Sequence, residues 1–199
     1  MNLDEDGCVR KYLGSIPRMS DRSATPVHAA GDELPLLERP DGVRCLLPLH
    51  ARAFLGLVRA GEVLDRALDA DLERAHGLGL RAYEVMLHLA AFAPEGRLRM
   101  TQLSDQAPLS QSRVSRLVAD LERQGLVSRT ACLDDARGVL VAITDEGRMR
   151  LVAIQGTHHE GLRERLFSRL TDDEMEQLAA ITDKILDRHC DDDPSPGAS

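Results

Sequence analysis

The sequence predicts a mainly α-helical protein with one small β-hairpin. Long stretches near both ends carry apolar residues at three- and four-residue steps, the period of an amphipathic helix. Between them stand two shorter helix-like segments joined by a turn at Pro108-Leu109. Two strand-like runs then flank a polar turn. These three observations together predict the fold class.

The two ends of the chain are expected to lie outside the folded domain. Residues 1–42 mix Pro, Gly, Asp and Ser without a sustained period, which predicts a disordered arm. Whether translation starts at Met1 or at Met19 stays open. Residues 191–199 predict a short acidic, disordered tail. The folded domain is therefore predicted over residues 43–190.

Two helices are predicted in the first half of the domain. The first spans 46–75 and ends at Gly77, a residue suited to a left-handed cap. Its periodic apolar residues are Phe54, Leu57, Val58, Leu64, Leu68 and Leu72. The second spans 81–93, is apolar on most sides and closes at Pro94-Glu95-Gly96, so we expect it at the centre of the domain.

Two more helices are predicted after residue 144. Thr144 is expected to cap a helix running through Met149, Val152, Leu162 and Leu166. Thr171 and Glu174 form a capping box that starts the last helix. One face of that helix carries Met175, Leu178, Ile181 and Ile185. Long apolar helices at both ends of a small domain favour a dimer interface.

Composition excludes several classes of protein. The chain has 199 residues, of which 43% are hydrophobic and 29% charged, as in a soluble globular protein. The sequence has neither an apolar run long enough for a membrane span nor a signal-peptide pattern, so we expect a cytoplasmic protein without membrane contact. The four cysteines are scattered, which disfavours a zinc ribbon and a disulfide framework. Nucleophile–base motifs, phosphate-binding glycine loops and paired metal sites are not recognisable, so we expect neither an enzyme nor a cofactor.

The charge is distributed unevenly along the chain. The net charge is −8 overall, yet residues 97–137 hold seven arginines against five acidic residues. That segment is therefore basic within an acidic protein, and local charge is a better guide to nucleic-acid binding than the total.

The basic segment contains a helix with two different faces. Ser110 is expected to cap it and Gly125 to close it, while Thr101 is expected to cap the shorter helix before it. The apolar residues of the longer helix form a single stripe that faces the core, made of Val114, Leu117, Val118 and Leu121. Hydroxyls and guanidinium groups lie on the opposite side, as in a helix that reads the major groove. The candidate DNA contacts are Ser110, Gln111, Ser112, Arg113, Ser115 and Arg116.

A hairpin is predicted directly after this helix. Two strand-like runs flank a polar turn in which Arg137 stands beside a glycine. An arginine on a projecting hairpin can enter a narrow minor groove, where the negative potential is strongest. Asp135 is expected to orient either Arg137 or Arg129 by a charge-assisted hydrogen bond.

In these stretches the sequence resembles the MarR family of winged helix-turn-helix regulators. The matching segments are LSQSRVSRLVADLERQGLVSR at 109–129 and DARGVLVAITDEGR at 135–148, with Ile143 where the family pattern has leucine. The resemblance implies a homodimer whose terminal helices interlock and whose two winged lobes bind double-stranded DNA at a pseudo-palindromic operator. Its recognition-helix positions are matched by Ser112, Arg113, Ser115 and Arg116, and its wing arginine by Arg137, which implies that these residues contact this DNA. It also implies a repressor released by a small-molecule effector or a stress signal.

Two alternatives remain open at this point. A winged helix also serves as a protein–protein interaction module, and Cys45 lies where oxidation-sensing relatives keep a reactive cysteine. The adjacent His158 and His159 suggest a metal site, but neighbouring helical side chains point about 100° apart, so we expect core or interface histidines instead.

Overall fold

The computed structural model describes residues 35–39, 41–106, 109–131 and 138–191. The predicted arm up to residue 34, including Met19, and residues 192–199 of the predicted tail lie outside the described residues, whereas Asp191 of that tail is the last residue of a helix. The chain divides into two compact units, residues 1–64 and 65–199.

A short antiparallel hairpin precedes the first helix. Strand β1 (Leu36–Glu38) pairs with β2 (Arg44–Leu46). The turn between them uses Gly42 at φ +80°, and the Asp41 carboxylate accepts a hydrogen bond of 3.1 Å from the Val43 amide. The hairpin corrects the predicted arm of residues 1–42 at its C-terminal end, because Asp and Gly there form a tight turn between two strands.

The first predicted helix is confirmed with slightly shifted ends. Helix α1 (Pro48–His76) starts at a proline, which fits the first turn of a helix. It ends at Gly77, whose φ of +64° confirms the predicted left-handed cap. In the first unit this helix leaves a group of apolar side chains exposed, namely Leu49, Phe54, Leu57, Val58 and Val63.

The second unit is built around α2 (Leu80–Leu87), and the predicted central position of this helix is confirmed. Its buried residues include Tyr83 and Met86, which are 2% and 0% exposed. The Asp69 carboxylate accepts a 2.8 Å hydrogen bond from the Leu80 amide and so caps the helix. The prediction of one helix over 81–93 was wrong in its second half, because the α-helix passes into a π-helical turn, His88–Phe92.

A three-stranded antiparallel sheet follows, in which the last strand along the chain lies in the middle. The predicted hairpin is confirmed as β4 (Val127–Ala131) and β5 (Val139–Ile143). The sequence did not predict the third strand, β3 (Arg97–Arg99), which pairs with β5. Its only signal is one buried apolar residue, Leu98, between two arginines.

Two helices connect β3 to β4. They are α3 (Met100–Gln106) and α4 (Gln111–Arg123), the two helices predicted for a helix-turn-helix, while Pro108 of the predicted turn lies outside the described residues. Thr101 is not the cap of α3, because the helix already includes Met100. The Gln102 side chain instead accepts a 3.0 Å hydrogen bond from the Arg99 amide.

The chain ends in α5 (Asp145–Arg165), a 3-10 turn (Phe167–Arg169) and α6 (Asp172–Asp191). Both predicted caps are confirmed. The Thr144 hydroxyl accepts a 3.0 Å hydrogen bond from the Gly147 amide, and Thr171 and Glu174 bond to each other reciprocally. The buried residues of α5 include Leu151 and Ile154, whereas Met149 and Val152 of the predicted helix pattern are exposed. The fold is therefore mainly α-helical with a small sheet, as predicted.

Candidate nucleic-acid interface

One face of α4 fixes this helix to the rest of the winged helix-turn-helix, the part of the chain from β3 to β5 that is called the lobe below. Val114, Val118 and Leu121 are each 0% exposed, which confirms three residues of the apolar stripe read from the sequence, and the fourth, Leu117, is half-buried. At about 2 kcal/mol for each fully buried aliphatic side chain, this stripe holds the helix firmly against the lobe. The opposite face is therefore held in a defined orientation toward solvent.

The predicted contact residues lie at the N-terminus of α4 and on its surface outside the buried stripe. All six are exposed, namely Ser110, Gln111, Ser112, Arg113, Ser115 and Arg116. Within the described ranges, the guanidinium groups of Arg113 and Arg116 have no ion-pair or hydrogen-bond partner. Their positive charge is thus not neutralised by a described side chain and is available to an external anion.

The N-terminus of α4 adds a second feature suited to anions. Ser110 occupies the cap position in an extended conformation, as predicted, but its hydroxyl makes no capping hydrogen bond to the helix. It lies 3.3 Å from the hydroxyl of Ser112 instead. The positive end of the helix dipole and two neighbouring hydroxyls therefore face solvent together, an arrangement that favours phosphate.

Two other arginines of this lobe are already paired. Arg123 forms an ion pair with Asp120 one turn earlier on the same helix. Arg129 on β4 donates from Nε to the Glu122 carboxylate at 2.8 Å. Arg129 therefore has a described partner other than Asp135. The predicted wing contacts Asp135 and Arg137 both lie outside the described residues.

The sheet is joined to α4 and α5 through a compact corner. Gly125, at φ +74°, closes α4 as predicted. The Thr144 hydroxyl then donates to the carbonyl oxygens of Gly125 at 2.7 Å and Leu126 at 3.0 Å. A Cβ on Gly147 would lie 2.0 Å from the Leu126 oxygen, so the first turn of α5 packs directly on this backbone. The corner fixes where the hairpin leaves the lobe.

The contact between Glu122 and Arg129 is a feature of this lobe that the sequence analysis missed. The Glu122 carboxylate accepts hydrogen bonds from both the backbone amide and the side chain of Arg129. The hydrogen bond from the Arg129 side chain lowers the pKa of Glu122 below its ordinary value. The available signal was a single acid–arginine pair seven residues apart across a glycine turn, which is too common a pattern to single out.

His158 and Cys45 lie in different surroundings. The His158 ring stacks on Tyr83 with centroids 4.4 Å apart, and burial lowers the pKa of His158. Across the described ranges, no three His, Cys, Asp or Glu residues cluster closely enough to hold a metal ion. Cys45 is exposed on β2. Among the helices that the structure describes, none combines the length and apolarity needed to cross a bilayer.

Comparison with known proteins identifies the family. Residues 76–138 match the model of the MarR family. Sco3205, a MarR family transcriptional regulator from Streptomyces coelicolor whose crystal structure is in complex with DNA, shares 31% sequence identity. Its structure superposes with a TM-score of 0.70 over 79% of this chain and 96% of that one.

Two curated relatives agree with this match. The transcriptional repressor MdtR of Bacillus subtilis (strain 168) is 29% identical over 97 residues, which is 49% of this chain and 62% of MdtR, under two thirds of its length. The transcriptional regulator PapX of Escherichia coli is 30% identical over 115 residues, 56% of this chain and 67% of PapX. The winged helix-turn-helix described above, with its outward-facing α4, thus has its counterparts among transcriptional regulators, and the chain belongs to the MarR family.

Proposed function

We propose that this protein is a transcription regulator that binds double-stranded DNA through the exposed face of α4. The observation that carries the proposal is the pair Arg113 and Arg116, exposed and without an ion-pair partner in the described part of the lobe. An arginine held on a rigid helix can reach guanine O6 and N7 in the major groove. The DNA complex of Sco3205 supports this use of the fold.

The remaining candidate contacts have complementary roles in this proposal. Ser110 and Ser112, at the helix N-terminus, bind phosphate oxygen and set the register of the helix on the duplex. Gln111 and Ser115 contact base edges beside the arginines. Arg137 enters the minor groove next to the half-site, with Asp135 orienting it.

The test is a binding titration of the full chain on its own promoter region. We expect Arg116→Ala to cost about 1–3 kcal/mol in specific binding if it reads a base. If Arg116 contacts only phosphate, the variant instead flattens the salt slope by about one unit. The matched control is Arg123→Ala on the same helix, because Arg123 is already paired with Asp120. Binding by Arg113→Ala and Arg116→Ala that equals wild type at all salt concentrations would contradict the proposal.

Salt dependence also separates DNA reading from the rival use of a winged helix as a protein-binding module. Each phosphate contact releases counterions, so the affinity for DNA falls steeply as salt rises. A lobe whose α4 face binds a protein would show no such dependence on duplex DNA.

We infer further that the functional form is a homodimer on a pseudo-palindromic operator. Helix α6 leaves Ile181, Ile185 and Leu186 exposed, a stripe at helical spacing that would cost free energy in water. Helix α1 independently leaves its own stripe exposed in the first unit. Light scattering should give a dimer for wild type and a monomer for Ile185→Asp. A monomeric wild type at micromolar concentration would contradict this inference.

Finally, we propose that the regulator is a repressor released by a small-molecule or stress signal. A cavity of about 120 Å³ lies between α2 and the helix-turn-helix, comparable to engineered cavities that hold one benzene ring. Its lining includes Val85, Leu103 and Leu109 with Arg81 and His88. Small phenols should therefore weaken DNA binding. If a phenol changed neither the affinity for DNA nor the melting temperature of the protein, this cavity would not be the effector site. Repression rather than activation is supported by the similarity to MdtR, a transcriptional repressor.

A further inference from the structure

One ion pair in the lobe connects two different elements, α4 and β4. Glu122 lies in the last turn of α4, and Arg129 lies at the middle of β4. The Arg129 backbone amide donates to Oε1 of Glu122 at 3.2 Å, and its Nε donates to Oε2 at 2.8 Å. The carboxylate therefore accepts hydrogen bonds from both the backbone and the side chain of Arg129 on the strand.

The position of β4 in the sheet explains why the contact with Glu122 is important for holding this strand. Among the strands that the structure describes, β4 is at the edge of the sheet and pairs only with β5. Arg129 is opposite Val141 in that pairing, while its own amide points away from the sheet toward Glu122. An edge strand is otherwise held on one side only. Glu122 supplies the contact on the second side and ties the strand to the helix.

We propose that Glu122 and Arg129 are a positioning pair that fixes the β4–β5 hairpin relative to the DNA-reading face of α4. The inference rests on the proposed DNA-binding function, since its consequence is that helix and hairpin meet one duplex in register. Specific binding requires the contact of the helix and the contact of the hairpin with the DNA at the same time. A small change in the angle between these two rigid elements would prevent one of the two contacts. Non-specific binding to the phosphate backbone tolerates such a change.

The sign of the effect distinguishes positioning from electrostatics. Removing an acidic group close to DNA lowers repulsion and by itself tightens binding. If Glu122 positions the hairpin, Glu122→Ala must weaken specific binding in spite of this gain. Asp120→Ala is the matched control, because Asp120 is on the same helix, carries the same charge and pairs only within that helix, with Arg123.

The experiment compares the full-length variants on an operator selected by wild type from a random duplex library and on a duplex of unrelated sequence. We expect Glu122→Ala to lose roughly tenfold in operator affinity, the discrimination of one good base contact, with unchanged or tighter binding to the unrelated duplex. Asp120→Ala should bind both duplexes as well as wild type or better. Equal behaviour of the two variants, or an equal loss on both duplexes, would overturn the proposal.

A DNA-free measurement tests the same pair independently. Hydrogen exchange at the Arg129 amide should accelerate in Glu122→Ala and stay unchanged in Asp120→Ala, because only Glu122 accepts from that amide. Unchanged exchange in both variants would overturn the positioning role. Should wild type select no operator at all, the DNA-binding function itself fails, while the exchange result still decides whether Glu122 holds the strand.

Discussion

Gly147 allows a quantitative test of the corner that joins α4, the sheet and α5. In Gly147→Ala the new Cβ would lie 2.0 Å from the Leu126 carbonyl oxygen and 2.9 Å from Cγ1 of Ile143. A carbon normally stays about 3.3 Å or more from a carbonyl oxygen, so the backbone must move by about 1.3 Å. That oxygen accepts from both the amide and the hydroxyl of Thr144, at 3.1 and 3.0 Å.

The cost follows from these contacts. Two disturbed hydrogen bonds cost about 2 kcal/mol and overpacking costs about 1–3 kcal/mol. Replacing glycine by alanine in a helix returns up to about 1 kcal/mol. The free energy of unfolding should therefore fall by about 2–4 kcal/mol, which lowers the melting temperature by roughly 5–15 °C for a protein of this size.

The assay is denaturant unfolding of wild type and two alanine variants. Gly156→Ala is the matched control on the same helix, since its Cβ would meet no atom within 4 Å. It should leave stability unchanged or raise it by up to about 1 kcal/mol. If Gly147→Ala proved as stable as Gly156→Ala, the close packing of α5 on the Leu126 backbone would be refuted.

Two further predictions concern a cap and a histidine. Thr144→Ala should lower the free energy of unfolding by about 1–2 kcal/mol, because it removes the α5 cap and two hydrogen bonds to the corner. Denaturant unfolding measures this loss, with the exposed cap variant Thr171→Ala as the control. A loss no greater than that of Thr171→Ala would contradict the prediction. Burial lowers the pKa of His158 below its ordinary value near 6.5, so the folded state binds fewer protons than the unfolded state. Stability is then fully present above about pH 6.5 and falls as the pH drops through the folded pKa. His158→Phe, which keeps a ring beside Tyr83, should flatten the melting temperature between pH 7.5 and 5.5, while an unchanged slope would exclude His158 as the cause.

Elements with strong local signals could be predicted from the sequence. Gly77, Gly125, Thr144 and the Thr171–Glu174 box all act at helix ends as expected, because a cap depends on residues within one turn. Strand β3 and the π-helical turn His88–Phe92 could not be predicted. A three-residue strand exists only through its pairing with β5, a contact more than 40 residues away along the chain.

The same distinction applies to the arginines of the candidate site. Helical periodicity correctly places Arg116 opposite the buried stripe and Arg113 on the flank, both exposed, because the angle between residues on a helix is fixed. Periodicity does not reveal which arginines already have partners. Arg129 follows α4 by only six residues in the sequence, yet Glu122 holds it at the sheet edge.

The arginines of this lobe therefore fall into two groups, those that are paired with acidic residues and those that are not. Arg123 and Arg129 are paired with acidic residues of α4, so much of their charge is compensated before any ligand arrives. Arg113 and Arg116 keep their charge for an external anion, and the buried residues beneath them fix their direction. An acidic protein can in this way present a local positive surface without a high positive total. Substituting the paired arginines should consequently affect geometry first, whereas substituting Arg113 or Arg116 should affect affinity first.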